Sequence, residues 1–307
     1  MNEAAISIEH LSRTFGENNA LNDISLAAPK GCVFGLVGAN GAGKSTLIKH
    51  ILGLWRAEAG SVSVFGDDPV SDPVSVLKRV GYLSEEPDLP GWMKIDELMR
   101  YTQTFYPNWD DEYAESLLQQ FALDKKARIK TLSKGQRTKA ALLIAQAHRP
   151  ELLLLDEPSS GLDPIVRADI LTEVIRTVAS EGRTVFFSSH FLDEIERVSD
   201  YIAFLHQGQL VLCGSIDDVK GLHRNLTVRF DNEKAQKTSI QGIYSIKGSG
   251  RERAVICNLA KISIEHLCSE LGCAVIEDGQ ATLDEIFFLH AALVLRAEDP
   301  RENSVDW

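Results

Sequence analysis

The sequence predicts an α/β fold built on a mostly parallel sheet. Three observations carry this. Two short all-apolar runs, residues 32–37 and 152–155, read as strands buried on both faces. A glycine-rich turn follows the first run and feeds an amphipathic helix. Strand and helix patterns then alternate along most of the chain, which places helices on both sides of the sheet.

Taken in order, residues 5–11 alternate, with Ile6, Ile8 and Leu11 toward one side, and predict a half-buried strand. Residues 22–26 give a second short strand. The run Cys32-Val33-Phe34-Gly35-Leu36-Val37 enters the glycine-rich turn, after which Leu47, Ile48, Ile51 and Leu52 share one helical face. Residues 61–65 alternate again. Residues 87–150 are rich in helix formers, with helices predicted over 111–121 and 135–148. Leu152 to Leu155 form the second buried strand. Asp163 and Pro164 have N-cap and first-turn chemistry for a helix reaching about residue 179. A strand over 184–188, a helix over 191–198 and a hairpin turning at Gln207-Gly208 complete this part. The texture changes near Gly221. Beyond it lie short strands (226–230, 254–258, 274–277), helices (263–271, 283–295) and a polar tail read as mobile. Two regions are therefore expected, 1–220 and 221–307, with a helical insertion at about 87–150.

Composition excludes several classes. The 307 residues are 44% hydrophobic and 25% charged, as in ordinary globular chains. No apolar run approaches the ~18 residues of a membrane span. The opening MNEAAISIEH lacks a basic stretch followed by an apolar core, so no signal peptide is expected. The net charge of −12 argues against a nucleic-acid partner. Five scattered cysteines argue against a disulfide framework and fit a reducing compartment. His266, Cys268 and Cys273 lack zinc-ligand spacing and read as packing residues. Trp55, Trp92, Trp109 and Trp307 form no obvious cage and read as packing or surface anchors. For Trp92 and Met93 burial is the default expectation. Leu283, Ile286, Phe287, His290 and Val294 read as a core face of the last helix.

The chemistry concentrates in three places. Gly38-Ala39-Asn40-Gly41-Ala42-Gly43-Lys44-Ser45 fits a phosphate loop. Its glycines let backbone N–H groups converge on phosphate oxygens, Lys44 reaches the β/γ-phosphates, and the Ser45 hydroxyl faces Mg2+. Thr46 follows as a further loop position. Leu152 to Leu155 deliver Asp156 and Glu157 to a strand's carboxyl end. There Asp156 can orient a metal-bound water and Glu157 can act as general base. Leu132-Ser133-Lys134-Gly135-Gln136 has capping-box spacing, Ser133 to Gln136, and reads either as an ordinary helix start or as an anion site at a helix N-terminus. His190, just past the 184–188 strand, is either a structural histidine or a contact to phosphate or water.

In this order, phosphate loop, LSKGQ, LLLLDEP, SSGLD and a strand-end histidine resemble the ATP-binding cassette (ABC) ATPases over about residues 4–220. The resemblance implies a P-loop NTPase cassette with an antiparallel β subdomain and a helical subdomain, followed by a small C-terminal α/β accessory domain. It implies that Phe15 stacks on adenine, Asp156 works through Mg2+, Glu157 is the catalytic base, Asp163 belongs to the D-loop and His190 is the switch histidine. It also implies that Ser133 and Gly135 contact the γ-phosphate held by a second chain, with Gln136 among the nucleotide-binding residues, so that two ATP molecules lie between two cassettes. ATP and Mg2+ are the implied cofactors. A separate transmembrane permease is the implied partner, and the inner face of the cell membrane the implied location. Two positions depart from the pattern. Glu85 stands where the family's glutamine loop has Gln, a carboxylate still able to bind Mg2+, and Lys134 replaces a glycine of LSGGQ. Both resemble a branch of drug, antibiotic and ion exporters. A non-transport ABC protein acting on ribosomes or DNA is the alternative. An unrelated P-loop kinase or GTPase gives LSKGQ and His190 no reason to co-occur. For residues 221–307 a regulatory, dimerising or ligand-binding module and a packing extension remain equally open.

Overall fold

The computed structural model describes residues 3–160, 162, 175, 181–231 and 240–298, the last seven through their backbone alone. The helix expected over 163–179 and the polar tail lie almost wholly outside these residues, as does Asp163. The chain divides into two compact units, Met1–Cys213 and Gly214–Trp307.

In the first unit, β1 (Ala4–Phe15), β2 (Asn18–Pro29) and β4 (Ala59–Val64) form an antiparallel sheet in the order β2-β1-β4. Ile6, Ile8 and Leu11 are all buried although period two would turn Leu11 outward. A register shift between Ile8 and Leu11, with His10 at φ 52°, supplies the extra residue that turns Leu11 back inward.

The second sheet has the order β5-β6-β7-β3-β8-β9, from β3 (Val33–Val37), β5 (Val80–Leu83), β6 (Leu152–Leu155), β7 (Thr184–Ser189), β8 (Tyr201–His206) and β9 (Gln209–Ser215). The pairs β5–β6, β6–β7, β7–β3 and β3–β8 are parallel. Every residue of β3, β6 and β7 is buried, as apolar strands covered on both faces must be. Phe34 and Phe186, register partners on β3 and β7, stack at 5.2 Å. Helix α1 (Lys44–Ile51) packs Leu47, Ile48 and Ile51 into the core shared by the two sheets.

Strand β5 was not anticipated, because Val80-Gly81-Tyr82-Leu83 is short and interrupted by glycine. Gly81 is required there: a Cβ would sit 2.0 Å from the Ala145 carbonyl oxygen. That carbonyl belongs to α5 (Lys134–Gln146), which covers β5. Upstream of α5 come α2 (Pro73–Leu77), α3 (Ile95–Gln103) and α4 (Asp111–Gln120), then a 3-10 turn at Ile129–Thr131. The expectation that Trp92 is buried is overturned: it is 66% exposed, because its turn before α3 points the indole outward while Ile95, Leu98 and Met99 take the core face. Tyr101 and Phe105, in ring contact at 5.2 Å, are exposed too. Helix α6 (Leu192–Val198) follows β7 and lays Ile195 against β3.

The second unit is an antiparallel sheet, β11-β12-β10-β13, from β10 (His223–Phe230), β11 (Ile243–Lys247), β12 (Glu252–Asn258) and β13 (Cys273–Gln280). Its helices are α7 (Ile216–Leu222), α8 (Ile264–Leu271) and α9 (Leu283–Glu298). Leu226, Val228, Phe230, Val255 and Leu267 form its core. Cys268 and Cys273 pack beside that core, and Leu283 and Ile286 of α9 are buried. The units part at Cys213/Gly214, ahead of the change in texture at Gly221, because α7 packs on β10.

No helix among the described residues is long and apolar enough to cross a membrane.

Candidate active site

The carboxyl ends of parallel strands are where loops leave the sheet and ligands meet it. Strand β3 runs into the phosphate loop, β6 into Asp156 and Glu157, and β7 into His190. Three sequence-predicted elements therefore share one edge because the strand order is β6-β7-β3.

The loop turns into α1 at Gly43, whose φ of 107° only glycine holds without strain. A Cβ at Gly43 would also sit 2.5 Å from the Ala20 carbonyl oxygen of β2, so loop and hairpin are in contact. Lys44 is only 5% exposed and folds back over the loop. Its Nζ donates to the carbonyl oxygens of Gly38 at 2.7 Å and Ala39 at 3.1 Å. The same ammonium pairs with Glu157 Oε1 at 2.9 Å, and Glu157 is 4% exposed. On the other carboxylate oxygen, His190 Nδ1 donates to Glu157 Oε2 at 2.7 Å. A carboxylate only accepts, so the ring nitrogen facing it carries the proton. Lys44, Glu157 and His190 thus form one connected chain across the three loops. Asn40 and Gly41 are exposed along the loop, and Thr46 accepts from His50 Nδ1 at 2.8 Å through its carbonyl.

Asp156 is 3% exposed, and burial pushes its pKa up from the usual carboxylate value. The nearby Glu157 and Glu85 charges push the same way, while hydrogen bonds from the Ser188 and Ser45 hydroxyls oppose them. Ser188 Oγ donates to Asp156 Oδ1 at 2.8 Å and accepts from the Glu157 N–H at 2.9 Å. That second bond holds Glu157 in the left-handed region, φ 47°, where a non-glycine residue is strained and which functional sites favour. Glu85 Oε1 accepts from Ser160 Oγ at 3.1 Å. Behind the site, Glu194 of α6 accepts from Ser159 Oγ at 3.0 Å and Ser189 Oγ at 2.6 Å, tying the loop after β6 to the end of β7.

Ser133 caps α5 reciprocally. Its Oγ accepts from the Gln136 N–H at 3.2 Å, and its own N–H donates to Gln136 Oε1 at 3.0 Å. Ser133, Lys134 and Gln136 are exposed, Gly135 is half-buried, and among the described bonds none joins them to Lys44 or Glu157. Phe15, at the end of β1, is 40% exposed and meets Trp55 edge-on at 5.0 Å. Sequence reading missed Ser188, Glu194 and the Trp55 contact. Serines at a strand end and a glutamate in a first helical turn carry no distinguishing pattern.

Comparisons with known proteins give the family. The family model described as ABC transporter matches residues 21–160. The ABC transporter ATP-binding protein YhaQ of Bacillus subtilis is 34% identical over 79% of this chain and 82% of its own. The lantibiotic transport ATP-binding protein SrtF of Streptococcus pyogenes is 33% identical over 74% of this chain and 96% of its own. A solved structure of an ATP-binding subunit of an ABC transporter superposes with a TM-score of 0.65 at 30% identity, covering 71% of this chain and 92% of the other. The non-transport alternative finds no support among these matches. The chain belongs to the ABC transporter family, as an ATP-binding and ATP-hydrolysing subunit that powers a separate membrane permease.

Proposed function

We propose that this subunit drives export by closing on ATP as a dimer and reopening after hydrolysis, with Glu157 as the general base. The carrying observation is the chain that buried Lys44 and Glu157 form with exposed His190 at the carboxyl ends of β3, β6 and β7. The phosphate oxygens of ATP compete with Glu157 for Lys44. As they take up the ammonium, the carboxylate becomes able to accept a proton from the attacking water. The His190 N–H keeps that carboxylate aimed, and its other ring nitrogen is left for the γ-phosphate. The loop leaving Gly38, whose own N–H donates to the Ser189 carbonyl oxygen, cradles the phosphates with the backbone N–H groups of Asn40, Gly41 and Gly43 and with Thr46, and Phe15 stacks on the base.

Mg2+ fits the residues present. The Ser45 hydroxyl already bonds to Asp156, and Asp156 is a buried carboxylate crowded by two others, an excess of negative charge that a hard divalent cation relieves. Ser45, Asp156 and Glu85 would hold it. Once bound, Mg2+ supplies positive charge to the terminal phosphates.

Ser133, Gly135, Gln136 and Asp163 complete the partner chain's nucleotide site, which accounts for an exposed, capped helix N-terminus apart from the phosphate loop. Exposed Trp92, Tyr101 and Phe105 form the face toward the permease. The cassette covers the first 220 residues, the remainder is an accessory domain, and the subunit sits on the inner face of the cell membrane. The lantibiotic-transport relative supports transport as the work done, and the Glu85 and Lys134 departures support export as its direction.

The test is a pull-down of tagged Glu157→Gln chain with ATP from detergent-solubilised membranes, read by mass spectrometry. A polytopic membrane protein in stoichiometric amount is expected. Ribosomal or DNA-repair proteins without a membrane partner would overturn the reading.

A further inference from the structure

Trp55 lies just past α1, on the segment leading to β4, and contacts four groups that the ATPase chemistry does not require of it. Its ring meets Phe15 edge-on, with centroids 5.0 Å apart at 63°. The Arg13 guanidinium stands 4.8 Å over the Phe15 ring and 5.8 Å over the Trp55 ring. Lys49 Nζ stands 4.7 Å over the Trp55 ring, and His50 packs against it at 5.9 Å.

The arrangement is anchored at its ends. Arg13 pairs with Glu58 Oε1 at 3.3 Å, while Glu58 Oε2 accepts from both the N–H and the hydroxyl of Thr14 at 2.9 and 2.7 Å. Those hydrogen bonds, the hydroxyl's first, hold the Glu58 carboxyl below the usual range. The end of β1 is thus fastened to the chain entering β4, and Arg13, Phe15 and Trp55 lie together at that clasp. Phe15 pairs with Asn18 in the β1–β2 register, two residues from Ala20, whose carbonyl abuts Gly43 of the phosphate loop. The aromatic pair therefore stands beside the phosphate loop.

A lone phenylalanine, 40% exposed at a hairpin end, would sample several rotamers and lose entropy on stacking. An edge contact from Trp55 and a cation over one face restrict it to one orientation. We infer that Trp55, with Arg13, is a positioning residue of the nucleobase platform, fixing the Phe15 ring so that its exposed part receives the base. This rests on the assignment of Phe15 to base stacking. Trp55 acts through Phe15 and not on the phosphates, so it tunes affinity for the nucleoside and leaves affinity for the polyphosphate untouched.

The experiment measures equilibrium binding of ATP and of inorganic tripolyphosphate to the full chain and to Trp55→Ala, Trp55→Phe, Phe15→Ala and the Phe15→Ala/Trp55→Ala double variant. Trp55→Ala is expected to weaken ATP binding about three- to tenfold, the range of one aromatic edge contact. Tripolyphosphate binding stays unchanged, Trp55→Phe restores most of the loss, and the double variant binds ATP no more weakly than Phe15→Ala. A merely structural role would lower both affinities together, and that result overturns the inference. Unchanged ATP affinity in Trp55→Ala, with a loss in Phe15→Ala, overturns it while sparing the Phe15 assignment. Unchanged ATP affinity in Phe15→Ala removes the stacking assignment and the inference with it.

Discussion

Ser188→Ala removes a single oxygen from a side chain with no solvent exposure, and two site residues lose a partner at once. The hydroxyl donates to the Asp156 carboxylate at 2.8 Å and accepts the Glu157 N–H at 2.9 Å. A hydrogen bond to a charged group contributes about 1.5–3 kcal/mol and one to a neutral group about 0.5–1.5 kcal/mol. Asp156 keeps its bond from the Ser45 hydroxyl, but both groups are buried, so the expected loss is about 2–4 kcal/mol. For a unit of this size that corresponds to a fall in Tm of about 6–12 °C at the centre of the range. The volume change is too small for a cavity term to compete. The same bond keeps Glu157 at a positive φ, so turnover should fall more than unfolding alone explains when assayed well below the new Tm. Urea unfolding and steady-state ATPase assays on the purified chain read both effects. A stability change under about 0.5 kcal/mol with unaltered turnover would refute the reasoning, since Ser188 would then not be the shared partner of Asp156 and Glu157.

Gly81→Ala places a methyl group 2.0 Å from the backbone oxygen of Ala145, which cannot rotate away, so denaturant unfolding should show a loss of about 1–3 kcal/mol. His148 is 3% exposed, stacks on Tyr106 at 3.9 Å, and burial depresses its pKa to about 4. The unfolded chain takes up this proton below about pH 6.5 and the folded chain only near pH 4. The stabilisation is therefore whole above pH 6.5, and about 3 kcal/mol is lost as pH falls through that window. Stability measured against pH should lose this share of its slope in His148→Gln. Trp92→Ala should change stability by less than about 0.5 kcal/mol, because the indole is exposed, yet reduce the permease recovered in the pull-down.

Much of the first unit was legible because its signals are strong and local. Four leucines at 152–155 can only be a strand covered on both faces, and the structure makes β6 from those four residues. The Ser133 and Gln136 spacing announced a capping box, which is present with both bonds. Failures occurred where a tertiary contact decides. Strand β5 tolerates its glycine only because α5 lies against it, and no local pattern encodes that approach. The bulge at His10 reconciles three inward side chains with a period that admits two. Trp92 was expected inside because large aromatics usually are, but a side chain in a turn answers to a surface the sequence does not describe. The loops carrying Lys44, Glu157 and His190 could be ordered from motifs alone. Their union into one connected chain, and the serine that braces it, required the β6-β7-β3 strand order.

The most direct test of the central claim is pre-steady-state ATP hydrolysis by Glu157→Gln beside the unaltered chain, with nucleotide binding measured in the same preparation. If Glu157 is the general base, the variant binds ATP at least as tightly, hydrolyses it at least about a hundredfold more slowly, and accumulates as an ATP-bound dimer. A variant that turns over at the unaltered rate would remove Glu157 from that role and, with it, the account of how Lys44 and His190 cooperate across the three loops.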